Sequence, residues 1–119
     1  MIITTNRNEF DDALSNTENT FLLIFGQEDK TAQKIHELAS APKAIEAWNI
    51  AVLIGGMAML DAGEKAAWYK DSTHCTLLSK PDANGQRKVV EQIAFADLCT
   101  KGVVSTRKIS AAFGRADAA

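Results

Sequence analysis

The residues best suited to chemistry in this chain of 119 residues are His74 and Cys75, side by side. A thiolate beside a basic group is the nucleophile of monothiol redox chemistry, and it needs exposure and a lowered pKa. Neighbours on a strand point to opposite faces, so His74 does not have to touch the sulfur. As a packing residue, Cys75 is a small hydrophobe against a sheet. Cys99 shares an apolar helix face with Phe95 and reads as structural. His36, His74, the two cysteines and scattered carboxylates offer no His-x-x-x-His or Cys-x-x-Cys spacing, so no metal is expected.

A second polar group is consecutive in sequence. Gln27, Glu28, Asp29 and Lys30 follow the apolar run Phe21 to Phe25 and fall at the carboxyl edge of a sheet, where open α/β sheets bind ligands. With Asp61 and Glu64 they compose a polar patch, and a carboxylate pair there could act as general acid and base. Asp29 and Glu64 are also ordinary helix-start residues, favoured by the dipole, and capping is the simpler role. Gly55-Gly56 does not match the Gly-x-Gly-x-x-Gly dinucleotide pattern and reads as a turn. No cofactor is expected. Among the aromatics, Trp48 reads as core. Trp68 and Tyr69 are adjacent on a helix and cannot both face fully inward, so one is a candidate interface anchor.

The elements that position these residues follow from periodicity. Ile2 to Thr4 reads as a short strand. Asn6 reads as a helix cap with Glu9 three positions on, in the manner of a capping box. Phe21 to Phe25 and Ile50 to Ile54 are apolar on both faces, as central strands are. Between them, a helix opens at Asp29 or Thr31 and is kinked or broken at Pro42. Asp61 and Glu64 open a short helix through Tyr69. Thr73 to Ser79 and Arg87 to Ile93 form a hairpin about Pro81 to Gly85. Phe95, Leu98 and Cys99 make a short helix that Gly102 stops. The order is β-α-β-α-β-α-β-β-α, followed by a tail from Val103 to Ala119. The expected fold is α/β, a mixed central sheet with helices on both faces.

That order resembles the thioredoxin-like fold over roughly residues 8 to 102. Phe21 to Phe25 is similar to the strand before the family's active-site helix, and Pro42 to the kink in that helix. Ala66 to Tyr69, Thr73 to Leu78 and the Asn84-Gly85 turn are similar to the helix, strand and turn near the family's cis-proline. The family's cysteine pair would fall at Gln27 to Lys30, where there is no cysteine. Its cis-proline would fall near Cys75. The resemblance therefore implies the fold without the dithiol reaction, and it points to members that act as assembly factors or binding modules.

Composition narrows the partners. Charged residues are 24% of the chain and the net charge is −2, which gives no electrostatic footprint for nucleic acid or an anionic membrane. The longest apolar runs are too short to span a bilayer. Two cysteines make no disulfide framework, and the natural setting is the cytoplasm. The first functional expectation is a non-catalytic protein-binding module: an assembly factor, an immunity-type inhibitor or a scaffold. Gln27 to Lys30, Trp68, Tyr69 and Phe113 are its candidate contacts. One alternative is a monothiol redox protein using Cys75. Another is a small homo-oligomeric accessory protein of a phage or mobile element. Residues 1 to 102 read as the α/β domain and 103 to 119 as a helical extension. In that extension Ile109, Ala112 and Phe113 share a stripe, and Arg107, Lys108 and Arg115 make it basic. A stripe that small is expected to dock through Phe113, on its own domain or a second subunit, leaving Arg115 to Ala119 weakly held.

Overall fold

The two doubly apolar runs lie side by side at the centre of one sheet. The structure is a computed structural model that describes residues 1–26, 33, 35–38, 48–71 and 73–119. Strands β1 (Ile2–Thr4), β2 (Phe21–Gly26), β3 (Ile50–Ile54), β4 (His74–Leu78) and β5 (Val89–Ala94) are ordered β1-β3-β2-β4-β5. The first three run parallel, with Leu23 opposite Ala51 and Ile3 opposite Val52. β4 is antiparallel to β2, and β5 to β4, with an irregularity between Leu77 and Leu78. The fold is thus the expected mixed α/β class.

Alternation along the strands divides the core in two. Leu22, Ile24, Ile50, Val52, Cys75 and Leu77 face one side. Phe21, Leu23, Phe25, Ala51, Leu53 and Leu78 face the other. Helix α1 (Arg7–Ser15) covers the second side with Phe10, whose ring lies 5.7 Å from that of Phe25. Trp68, at the end of α2 (Ala62–Trp68), and Tyr69 pack on the same side. The first side is covered by α3 (Phe95–Leu98), by Leu38 and by α4 (Thr106–Ala118). Gln33 and residues 35–38 are helical. The expected helix start at Asp29 or Thr31 and the kink at Pro42 lie outside the described residues.

Helix α4 differs most from expectation. It runs thirteen residues behind a Ser105 cap whose hydroxyl accepts from the Lys108 amide. Ile109, Ala112 and Ala116 are buried against the sheet. Phe113 is only half-buried, against Trp48, so Ile109 is the principal anchor. The Arg115 to Ala119 end is helical to Ala118, because Ala116 continues the apolar stripe one turn further.

Two smaller corrections concern caps and turns. The Asn6 side chain accepts from the Asn8 and Glu9 amides, as a cap does. The Glu9 carboxylate does not return to the Asn6 amide. It accepts from the Thr4 hydroxyl at 2.7 Å, and the Asn6 amide donates to that same Thr4 oxygen, so Thr4 relays the bond. Gly102 does not stop a helix: α3 ends at Leu98, and Lys101 and Gly102, both at positive φ, turn a hairpin between β6 (Cys99–Thr100) and β7 (Val103–Val104). Positive φ at both central residues matches the turn that two-residue hairpins need.

The Asp61-Glu64 capping box is present, and it serves a second purpose. Glu64 also takes both terminal nitrogens of Arg7, which lies over the Trp68 ring at 5.7 Å. The Trp68 ring also stacks on Phe25, with centroids 6.4 Å apart. The Arg7 hydrogen bonds hold the Glu64 carboxyl down to about 2, from an ordinary 4.5. Its stabilisation is therefore complete above pH 4.5 and is lost as pH falls toward 2. A bidentate, partly shielded pair contributes about 1–2 kcal/mol. Glu64→Gln should lower stability by that amount at pH 7 and flatten the acid limb of a urea-midpoint-against-pH curve. An unchanged acid limb would show that the pair contributes nothing.

Candidate functional site

The thiols come first, since they carried the catalytic alternative. Cys75 is 0% exposed and Cys99 5%, both on the α4 side of the sheet. Desolvation, then the charge of Glu37, pushes the Cys99 thiol up to about 12. Both features oppose thiolate formation and attack. His74 turns away from Cys75, as strand alternation requires: its Nδ1 lies 2.8 Å from Asp71 Oδ1 and 3.1 Å from the Thr73 hydroxyl. The same Asp71 oxygen accepts from the Thr73 hydroxyl and amide. Thr73 foremost, then His74, holds the Asp71 carboxyl well below the usual carboxylate range. Among the described residues no group of three His, Cys, Asp or Glu side chains converges as metal ligands would.

Gln27 to Lys30 lie outside the described residues. They follow the carboxyl end of β2. Three neighbouring clefts lie at the opposite end of the sheet, where β2 and β3 begin and β4 ends. One, of about 380 Å³, lies between the start of β3 and the outer face of α4. Trp48 and Phe113 meet there with ring centres 6.1 Å apart, both half-buried. Asn49, Ser110 and Gly114 line it as well. It meets a second cleft of about 580 Å³ at Lys80. That one runs beneath the Pro81–Gly85 turn and meets a third, of about 450 Å³, at Leu14, Ser15 and Gly85. Trp68 lines the far end. Phe113 and Trp68, distant in sequence, are thus brought to the two ends of one connected groove. Tyr69 packs against the second side of the core and is not among the residues that line these clefts.

Arg87 lines the third cleft, and nothing in the sequence singled it out. Its guanidinium donates to four backbone carbonyls: Leu14 at 3.0 Å, Thr17 at 2.9 Å, Ser79 at 3.1 Å and Asn19. It also lies over the Phe21 ring at 5.3 Å. Burial lowers its pKa. The planar fork of five N–H donors is what allows one side chain to gather carbonyls from the α1 exit loop and the β4 end. Asp82 organises the neighbouring turn, its Oδ1 accepting from the Asn84 amide at 2.8 Å and the Gln86 amide at 3.0 Å. Gly85 adopts positive φ to close it.

At the Trp68 end the same economy holds. The Trp68 carbonyl, last of α2, accepts from the Thr76 hydroxyl and from the Gln92 amide. Thr76 is buried, so this bond meets the needs of a helix end and of a sheet hydroxyl together. The arrangement is a polar-rimmed groove with aromatic side chains at its ends. No helix among the described residues is long and apolar enough to cross a membrane. Compared with protein-family models, with curated proteins and with solved structures, the chain matches none, so its mixed α/β class rests on its own strand order.

Proposed function

We propose that this chain is a non-catalytic protein-binding module on a thioredoxin-like scaffold, an assembly factor, inhibitor or scaffold by class. The observation that carries it is the groove between Trp48–Phe113 and Trp68, where aromatic side chains stay half-exposed while both thiols are sealed in the core. Half-exposed aromatics in a polar rim are the usual anchors of protein recognition. The strand order β1-β3-β2-β4-β5 supports the thioredoxin-like reading. Two cysteines kept as thiols fit a reducing cytoplasm.

The test is site-specific photo-crosslinking in the native host. A crosslinking amino acid at Ser110, inside the groove, should give one discrete adduct, and the same group at Ala58, on the opposite end of the sheet, should give none. Insulin-reduction assays should show background only. Turnover that disappears in Cys75→Ser, with no adduct at position 110, would replace this reading by monothiol redox chemistry.

A further inference from the structure

We infer that the groove takes an extended, basic segment of a partner protein, with an apolar side chain seated against Trp48 and Phe113. The inference rests on the binding-module reading and adds the partner's chemistry. Among the described residues lining the three connected clefts there are four acids, Asp11, Glu18, Asp82 and Asp117, against two cations, Lys80 and Arg87. Arg87 spends four of its five N–H donors on the four carbonyls. Lys80 pairs with Asp117 at 3.8 Å and Arg7 with Asp11 at 2.9 Å, which leaves Glu18 and Asp82 against Arg87. Glu18 and Asp117 are exposed, at the middle cleft and at the aromatic end. Another polar groove among the described residues, between β5 and α4, is balanced: Glu91 and Asp97 stand against Lys108 and Arg115, with His74 at its margin. With those pairs counted, the first groove keeps a surplus of one negative charge and the second keeps none. Lined acids beside aromatic anchors select a cationic chain with an apolar residue, since charge steers and the desolvated anchor holds.

Gly114 makes the test clean. It lies within α4, where glycine costs about 1 kcal/mol relative to alanine. A Cβ built on it meets no atom within 4 Å, so no intramolecular packing demands a glycine there. A large side chain at 114 would project into the cleft and leave the fold intact.

The probe is a fluorescein-labelled peptide of alternating lysine and leucine, titrated by fluorescence anisotropy against the full chain at low ionic strength. It should bind, and a glutamate–leucine peptide should not. Gly114→Leu should keep the thermal midpoint and weaken binding at least about tenfold. Glu18→Lys should weaken it about fivefold, and Asp97→Lys, an equal change of net charge in the balanced groove, should leave it unchanged. Raising salt to ~0.15 M should reduce binding by the electrostatic part alone. The inference is overturned if Glu18→Lys and Asp97→Lys behave alike, or if Gly114→Leu binds as the parent does. If those variants fail while Ser110 still crosslinks one protein, the module reading stands and the basic partner is wrong. If sedimentation shows a dimer that Gly114→Leu dissociates, the occupant is a second copy, presenting its own Lys101, Arg107 and Lys108, and not a partner.

Discussion

A chain ending at residue 102 should lose cooperative unfolding altogether. Removing β7 and α4 uncovers the sheet face on which Ile109, Ala112 and Ala116 are buried, and takes Val104 and the half-buried Phe113 with them. At about 25 cal/mol per Å² of apolar surface, one isoleucine, two alanines and parts of two larger side chains come to roughly 5 kcal/mol or more. A domain of this size has about 5–15 kcal/mol in total, so the truncated chain should be largely unfolded or aggregated at 25 °C. Circular dichroism against temperature reads this directly. Because a truncation can fail for several reasons, Ile109→Ala is the finer probe. It leaves the helix and removes one fully buried side chain, with an expected loss of about 2–4 kcal/mol. A truncated chain that melts like the parent would show that α4 is only loosely apposed to the sheet.

Arg87→Ala should be among the most damaging substitutions of a charged residue. Four carbonyls lose their donor together, and the loop after α1 loses its tie to the end of β4. Hydrogen bonds from a charged donor are worth about 1.5–3 kcal/mol each when buried, but these carbonyls are near the surface and water replaces part of the loss. The net expectation is about 2–3 kcal/mol. Arg87→Lys should recover less than half, since an ammonium group cannot span four acceptors from a planar fork. Denaturant midpoints of the parent and the two variants measure it. Full rescue by lysine would mean that charge alone matters and the fork geometry does not.

These two expectations lie where sequence and structure diverged. A stripe of Ile109, Ala112 and Phe113 looked too small to hold a helix, because alanines contribute little to apolar periodicity. Ala116 extended it, and the sheet surface did the rest: tertiary burial, not propensity, stabilises most helices. Arg87 gave no signal at all. Its role depends on carbonyls from Leu14, Thr17 and Asn19, roughly seventy positions away, and backbone acceptors carry no side-chain signature. The grooves were missed for the same reason. Trp68 and Phe113 stood out as aromatics, but only the fold could place them at the ends of one surface. That surface lies at the opposite end of the sheet from the carboxyl end of β2, the end the strand-edge rule favours.

What the sequence determined by itself is the sheet and its starts. Doubly apolar runs at 21–25 and 50–54 can be satisfied only by burial on both faces, so they fall at the centre, in parallel register. Asp61 with Glu64 and the Asp82 turn are local hydrogen-bond solutions, complete within a few residues, and so they are legible in order. What the tertiary structure decided is everything that depends on distant surfaces meeting. It sealed Cys75 at 0% exposure beneath α4 and so removed the thiol from solvent. It also left Trp48 and Phe113 half-covered, their ring centres 6.1 Å apart. Strand pattern is written in neighbours two residues apart, whereas a groove is written in the gap between elements, and that gap exists only once they pack.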